Sequence, residues 1–168
     1  MYKRTLSFVT GNKNKLKEVQ ELLGHIFDIV NIDLELEEIQ GDPESITRKK
    51  CNEAARLTNK SVLVEDTSLC FNALGDGLYK LLHGFDDKKA YALCTFGLSE
   101  GIDKPVHIFQ GKVEGSIVPP RGPTNFGWDP CFEPSGFSQT FAEMSAEMKN
   151  SISHRSLALQ QLKAHFEK

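Results

Sequence analysis

The fold is decided by residues 5–23, which read T-L-S-F-V-T-G-N-K-N-K-L-K-E-V-Q-E-L-L. The apolar run from Thr5 to Thr10 ends at Gly11-Asn12, which is typical of a buried strand that enters a turn. From Lys13 to Leu23 the apolar residues recur at helical spacing, and Gly24 follows where a helix cap is expected. This stretch therefore predicts a strand, a loop and a helix in succession.

Strands and helices continue to alternate along the rest of the chain. Apolar stretches at 26–32 and 62–64 predict strands, and Asp42-Pro43 predicts the start of a helix through Arg56. Later segments predict a short helix at 78–83, strands at 90–98 and 106–118, and a last helix capped by Ser153. This order predicts an α/β fold with a mixed sheet, built as one domain over residues 1–168.

Composition narrows the class of protein. A chain of 168 residues with 39% hydrophobic and 26% charged residues is ordinary for one folded domain. The net charge of -3, without a run of Lys or Arg longer than three residues, argues against a partner such as long nucleic acid or a membrane. The four cysteines form no C-x-x-C pair and are expected to be buried thiols. The N-terminus does not resemble a signal peptide, so a cytoplasmic location is expected.

The first stretch with chemical character is the loop Thr10-Gly11-Asn12-Lys13-Asn14-Lys15. Free backbone N–H groups at a helix start, together with the helix dipole, form a site for anions. The two lysines add positive charge to such a site. The alternative is an ordinary turn with solvated lysines, because the loop lacks the G-x-x-x-x-G-K-[ST] pattern of a phosphate-binding loop.

The second stretch is Glu65-Asp66-Thr67, which follows the predicted strand at 62–64. Ligands of α/β sheets bind at the carboxyl ends of the strands, and carboxylates together with phosphate oxygens are ligands that Mg²⁺ prefers. The acidic residues Glu35, Glu37 and Glu38 offer a further metal ligand. A simple turn at the strand end, with a solvated acidic face nearby, is the alternative.

Two further stretches lie near the C-terminus. Phe126-Gly127-Trp128-Asp129-Pro130 combines aromatic rings, which stack on bases, with a carboxylate that can accept a base N–H. A core-packed aromatic loop is its alternative. His154 and Arg155 stand in the first turn of the last helix, where basic groups oppose the dipole and so indicate an anionic or accepting partner. A lone histidine, however, is more often structural than functional.

Four motifs in this chain together resemble the inosine triphosphate pyrophosphatase family of the Ham1 type. They are V-T-G-N-x-x-K at 9–15, V-L-V-E-D-T-x-L-C-F-N-A-L-G at 62–75, F-G-W-D-P at 126–130 and S-H-R at 153–155. They occur in the family's order and cover almost the whole chain. The resemblance implies an elongated mixed sheet whose flanking helices form two lobes around a central cleft, in a cytoplasmic homodimer. It further implies hydrolysis of ITP, dITP and XTP to the monophosphate and pyrophosphate, which cleanses the nucleotide pool, with Mg²⁺ or alternatively Mn²⁺.

The resemblance also implies roles for individual residues. The phosphates would be held by Thr10, Asn12, Lys15 and Lys50, the metal by Glu38 and Asp66, and the base by Phe126, Trp128 and Asp129. Lys149, His154 and Arg155 would contact the nucleotide and favour a 6-oxo purine, and the further substrate-binding residues would be Gly11, Lys13, Asn14 and Gly127. Asp66 would act as metal ligand or general base, with Glu65 and Lys15 as further catalytic residues and Thr67 touching the substrate. In an exposed helical turn, Arg155 is expected to matter more for selectivity than for folding.

The chain departs from the family pattern after N-A-L-G. There the family continues through a glycine-proline-glycine-tyrosine turn into a helix that supplies a lysine, but here Gly75-Asp76-Gly77 leads directly to Leu78. A segment about one helix long is therefore missing, which makes a weakly active or non-catalytic nucleotide-binding protein one alternative. A Maf-like pyrophosphatase that acts on pyrimidine nucleotides is another, although F-G-W-D-P and S-H-R disfavour it.

Overall fold

The computed structural model describes residues 3–71, 75–76, 79–124 and 126–167. Its strands are β1 Arg4–Val9, β2 Phe27–Ile32, β3 Val62–Phe71, β4 Gly75–Asp76, β5 Lys89–Ser99, β6 Val106–Ile117 and β7 Phe132–Pro134. Its helices are α1 Lys13–Leu23, α2 Pro43–Thr58, α3 Ala146–Ile152 and α4 His154–Phe166. None of the helices in these ranges is long and apolar enough to cross a membrane.

The strands form a mixed sheet in the order β2-β1-β3-β5-β6-β7, and the short β4 pairs with β3. β1 is parallel to both β2 and β3, whereas β6 and β7 are antiparallel. This arrangement confirms the predicted α/β fold with a mixed sheet. Because β2 and β3 lie on opposite sides of β1, the strand order reverses at β1 and β3, and Val9 at the end of β1 pairs with Val64 in β3. Such a reversal point is where sheets of this kind bind ligands.

Local sequence signals account for the first two helices. α1 has the predicted bounds, and Asp42 caps α2 by accepting a hydrogen bond from the Ser45 backbone N–H at 3.0 Å. The hydrogen bonds from Ser45 lower the pKa of the Asp42 carboxyl, because they stabilise its charged form. Asn59 ends α2 in the left-handed conformation that a helix C-terminus favours.

The chain divides into two compact units. The first comprises residues 1–66, 94–110 and 158–168, and the second comprises 67–93 and 111–157. The largest apolar cluster of the first unit includes Phe8, Leu63 and Phe96, whereas the cluster of the second includes Phe132 and Phe141. The chain therefore crosses from one unit to the other four times, and each unit has a core of its own.

Several local features differ from the sequence-based expectations. β3 is longer than predicted and includes Glu65, Asp66 and Thr67, which were expected to follow the strand, while β7 and α3 were not predicted at all. The short helix expected at 78–83 is a 3-10 turn at Tyr79–Leu82. Cys51 and Cys94 are buried free thiols, as predicted, but Cys131 is only partly buried. The missing segment was placed beside residues 72–74 and 77–78, which lie outside the described residues.

Candidate active site

The loop after β1 is held by its own side chains. Asn12 caps α1, and its Oδ1 accepts from the backbone N–H groups of Asn14 at 2.9 Å and Lys15 at 3.2 Å. The Asn12 N–H donates to Thr10 Oγ1 at 3.1 Å. The expectation of free N–H groups at this helix start is therefore wrong for these three residues, because the side chains of the loop already satisfy them.

The same contacts leave other groups of the loop as donors. Since Thr10 Oγ1 accepts one hydrogen bond, its hydroxyl hydrogen remains a donor, and the Asn12 amide nitrogen carries two more. Gly11 and Lys13 are exposed at this loop. Side-chain donors and lysine charge, more than backbone N–H groups, make this loop suited to an anion.

Lys15 points its ammonium group at a buried carboxylate. Its Nζ lies 2.7 Å from Glu65 Oε2, and the Glu65 side chain has no exposed surface, whereas that of Lys15 is 21% exposed. On the other side of the carboxylate, the Cys94 thiol donates to Glu65 Oε1 at 3.3 Å. Two neighbouring strands, β3 with Glu65 and β5 with Cys94, thus hold the carboxylate of the Lys15 ion pair from within the core.

Lys50 joins the two carboxylates that the sequence nominated as metal ligands. Its Nζ donates to Glu38 Oε2 at 2.6 Å and to Asp66 Oδ1 at 3.2 Å. Burial lowers the pKa of Lys50, but the hydrogen bond to Glu38 and the charge of Asp66 outweigh it and raise the pKa above its ordinary value. Lys50 is therefore held as an ammonium. Glu37 pairs with the neighbouring Lys49 instead, at 2.9 Å.

These carboxylates fit a magnesium ion. Glu38 and Asp66 present oxygens to one and the same ammonium, so both lie within reach of a single cation. Mg²⁺ is commonly bound by one or two carboxylates together with substrate phosphates and water. Over the part of the chain that the structure describes, no cluster of three or more His, Cys, Asp or Glu residues forms a complete metal cage. The donor set suits a metal that is shared with a phosphorylated ligand.

In the second unit, Phe126, Asp129 and Lys149 form one group. Lys149 Nζ lies 2.5 Å from Asp129 Oδ2, and both side chains are buried. The same ammonium stands 4.3 Å from the centre of the half-buried Phe126 ring. Gly127 adopts a φ of 42°, which favours glycine, and so lets the chain turn between the two aromatic residues of the motif.

His154 lies between aromatic rings of the same unit. Its ring is stacked on Phe141 at 5.8 Å between centroids and lies 5.3 Å from that of Trp128. Trp128 also contacts Phe132 edge to face at 5.6 Å. The predicted base-binding loop is therefore partly a core-packed aromatic loop as well, because its half-buried Trp128 packs against the apolar cluster of the second unit.

The sequence predicted that Arg155 is exposed, and this prediction is wrong. Arg155 is fully buried and among the largest fully buried side chains of the described residues. Its Nη2 donates to Thr67 Oγ1 at 3.0 Å, and its guanidinium lies 5.6 Å from the centre of the Phe126 ring. The short α3, which ends at Ile152, precedes α4 directly, so the first turn of α4 is covered and not a free helix end. Arg155 therefore contributes to packing.

The structure thus gathers the predicted residues into two groups. The first unit holds Thr10, Gly11, Asn12, Lys13, Asn14, Lys15, Glu38, Lys50, Glu65 and Asp66, and the second holds Thr67, Phe126, Gly127, Trp128, Asp129, Lys149, His154 and Arg155. Sequence reasoning missed the contacts of Cys94 with Glu65 and of Phe141 with His154. Both residues lie in apolar surroundings, and a core cysteine or phenylalanine carries no sequence signal of a polar or stacking partner.

The chain was compared with known families and solved structures. The model of the Ham1 family matches residues 6–77 and 75–165. The two matched segments meet at 75–77, beside the predicted missing segment. A Ham1 protein from Staphylococcus aureus is 26% identical over 98% of both chains, with a TM-score of 0.83.

Two further structures share the fold. A HAM1 protein from Coxiella burnetii is 28% identical over 98% of both chains, with a TM-score of 0.84. A nucleoside-triphosphatase, or dITP/XTP pyrophosphatase, from Mycobacterium abscessus is 24% identical over 94% of this chain and 98% of its own, with a TM-score of 0.71. Because the family match spans nearly the whole sequence and the fold agrees, this chain belongs to the Ham1 family.

Proposed function

We propose that this protein is a nucleoside triphosphate pyrophosphatase that hydrolyses the deaminated purine nucleotides ITP, dITP and XTP to monophosphate and pyrophosphate. Membership of the Ham1 family supports the enzyme class. The activity carried in the name of the Mycobacterium abscessus protein supports the same substrate class. The hydrolysis uses Mg²⁺, with Mn²⁺ as the alternative.

One observation carries the proposal. Where the strand order reverses, two lysine ammoniums contact carboxylates: Lys15 contacts Glu65 within β3, and Lys50 contacts Asp66 within β3 and Glu38 in the segment before α2. Paired positive and negative groups of this kind can bind a triphosphate and its cation together, since the lysines can contact phosphate while Glu38 and Asp66 take the metal. A merely structural sheet edge would not need three carboxylates and two lysines in contact with one another.

The chemistry then follows from the residues of the chain. Asp66 orients a water molecule and accepts its proton as the α–β phosphoanhydride breaks. Lys15 and Lys50 balance the charge that develops on the departing pyrophosphate, and Thr10 and Asn12 donate hydrogen bonds to phosphate oxygens. A magnesium ion held by Glu38 and Asp66 would supply further neutralisation of phosphate charge and lower the pKa of bound water.

Base selection belongs to the second unit. The half-buried rings of Phe126 and Trp128 offer faces for stacking, while Lys149 and His154 carry the N–H groups that suit a 6-oxo purine. Adenine presents an amino group at that position and would leave such donors unsatisfied. Rejection of this kind is strong when the donors are buried, as Lys149 and His154 are.

A direct assay tests the proposal. Purified protein with Mg²⁺ is given ITP, dITP, XTP, ATP and UTP, and released pyrophosphate is measured. We expect kcat/KM for the three deaminated nucleotides to exceed that for ATP by about a hundredfold or more, because adenine would leave hydrogen-bond donors of the base site unpaired. Preference for UTP would instead indicate a Maf-like enzyme, and tight binding without turnover would indicate a non-catalytic protein.

Asp66→Asn tests the catalytic assignment. An amide oxygen neither takes a proton at neutral pH nor carries the charge of a metal ligand, so turnover of ITP should fall by about a hundredfold or more. The fold should persist, because asparagine has the same shape and can still accept from Lys50. Circular dichroism checks the fold and pyrophosphate release checks turnover. Wild-type turnover in this variant would remove Asp66 from the mechanism.

A further inference from the structure

Cys94 contacts the carboxylate that pairs with Lys15, the lysine proposed to bind phosphate. The proposed reaction assigns no role to Cys94. It is fully buried in β5, one strand away from Glu65 in β3. Its thiol donates to Glu65 Oε1 at 3.3 Å, while Lys15 occupies Glu65 Oε2 at 2.7 Å. The three side chains form a short series that runs from the core to the phosphate loop.

We propose that Cys94 is a positioning residue, whose hydrogen bond fixes the Glu65 carboxylate so that Lys15 is held ready for the phosphates. This inference rests on the proposed function, because it assigns Lys15 to polyphosphate binding. It also gives Glu65 a specific task. With no exposed surface and a partner on each oxygen, Glu65 directs Lys15 and does not itself reach the substrate.

The physical reason is the freedom of a carboxylate about its last torsion. The terminal torsion of glutamate is broad and roughly twofold, so a single partner on one oxygen does not fix the plane of the group. A second donor on the opposite oxygen restricts that rotation and thereby fixes the direction in which Lys15 is drawn. Groups fixed before the ligand arrives need not be ordered when it binds, which favours affinity.

A thiol suits this position. The strand around it is apolar, and cysteine packs there as a small hydrophobe while its S–H remains a weak donor. Serine is a stronger donor with a shorter bond to its oxygen, so it should preserve the hydrogen bond, whereas alanine removes the donor. Cys51 provides a matched control, because it is an equally buried free thiol of the same unit and its burial raises its pKa to about 12.

The experiment measures pyrophosphate affinity by calorimetry, and ITP turnover in parallel, for wild type, Cys94→Ala, Cys94→Ser and Cys51→Ala. We expect Cys94→Ala to weaken pyrophosphate binding and raise the KM for ITP about three- to tenfold, with a smaller change in kcat. Cys94→Ser should stay within about twofold of wild type in both measures, and so should Cys51→Ala.

Several outcomes would overturn the inference. One is an affinity for pyrophosphate in Cys94→Ala equal to that of wild type, and another is an equal loss of affinity in Cys94→Ala and Cys94→Ser. An equal loss of affinity in Cys51→Ala would show general loosening of the core, and a wild type that binds no pyrophosphate would remove the basis of the inference. A wild type that binds pyrophosphate but does not hydrolyse ITP contradicts the proposed function alone. In that case the affinity comparison still decides the role of Cys94.

Discussion

Lys50 occupies the position that a cation takes between two carboxylates. Its ammonium contacts both Glu38 and Asp66 and is kept charged by them. A divalent ion that arrives without nucleotide must therefore displace a positive group that is already there. With nucleotide present, Lys50 can turn to a phosphate as the metal enters, so metal and substrate binding should favour each other.

Lys50→Gln tests this competition. Loss of the ammonium leaves the two carboxylates without their cation, so the affinity for Mn²⁺ in the absence of nucleotide should rise about tenfold. The KM for ITP should rise at the same time, because a phosphate contact is lost. Mn²⁺ binding is measured by electron paramagnetic resonance. The control is Lys49→Gln, an equal charge change at a lysine that pairs with Glu37; the same gain in that variant would show a general effect of charge.

Arg155→Ala tests the finding that Arg155 is part of the packing. The substitution removes a fully buried side chain and its hydrogen bond to Thr67, so it should lower the free energy of unfolding by about 2–4 kcal/mol. Urea denaturation measures the loss. Arg56→Ala, at an exposed position in the last turn of α2, should change stability by less than about 0.5 kcal/mol. Equal stability of the two variants would contradict the packing role.

The residues proposed for the site were nominated by their motifs, but the surroundings of these residues could not be predicted. Asp66 and Lys50 were nominated by position in the family pattern, and the structure puts them in contact. The burial of Arg155 could not be predicted, because helical periodicity says which turn a residue occupies and not what covers that turn. The contact of Cys94 with Glu65 depends on which strands become neighbours, and this is a property of the sheet.

At the scale of elements, β6 and β7 come unusually close. Gly115 pairs with Pro134, and a Cβ added at Gly115 would lie 2.4 Å from the backbone oxygen of Glu133 and 2.7 Å from the Phe132 ring. A backbone atom cannot move aside as the end of a flexible side chain can. Glycine at this position is therefore a condition for the pairing of the two strands.

Gly115→Ala should accordingly separate β7 from the sheet or shift it. We expect a loss of about 2–3 kcal/mol in the free energy of unfolding, in the range of overpacked core substitutions. Chemical denaturation measures the loss. Gly84→Ala is the control, because a Cβ at the exposed Gly84 would meet nothing within 4 Å. A Gly115→Ala protein as stable as this control would show that the strands can separate without cost.

The elements that could be predicted are those with a pattern of their own. α1 was recovered with its bounds, because eleven residues with apolar positions at helical spacing and a capping Asn12 contain the necessary information. β7 has only three residues, too few for any periodicity, and it exists because β6 offers it a partner. α3 is a seven-residue helix whose start depends on Ser145, which accepts from the Met148 N–H. Such short elements are specified by their tertiary neighbours.

At the scale of the whole molecule, the segment predicted to be missing after Gly75 bears on binding and on turnover separately. The family model matches on both sides of residues 75–77, and the residues proposed for phosphate, metal and base all lie within the matched segments. Every group invoked for binding is therefore present, whatever the effect on turnover. Binding and turnover are therefore measured separately.

A thermal shift with a stable analogue makes that separation. A ligand that binds only the folded state raises its stability by about 2.7 kcal/mol at a hundred times its Kd. For a chain of this length, that corresponds to a midpoint about 5–10 °C higher. We expect such a rise with Mg²⁺ and an ITP analogue whose α–β bridge is nitrogen, and a much smaller rise with the matching UTP analogue. The rise without ITP turnover would make the chain a nucleotide-binding protein, and equal shifts by both analogues would contradict the base selection proposed for the second unit.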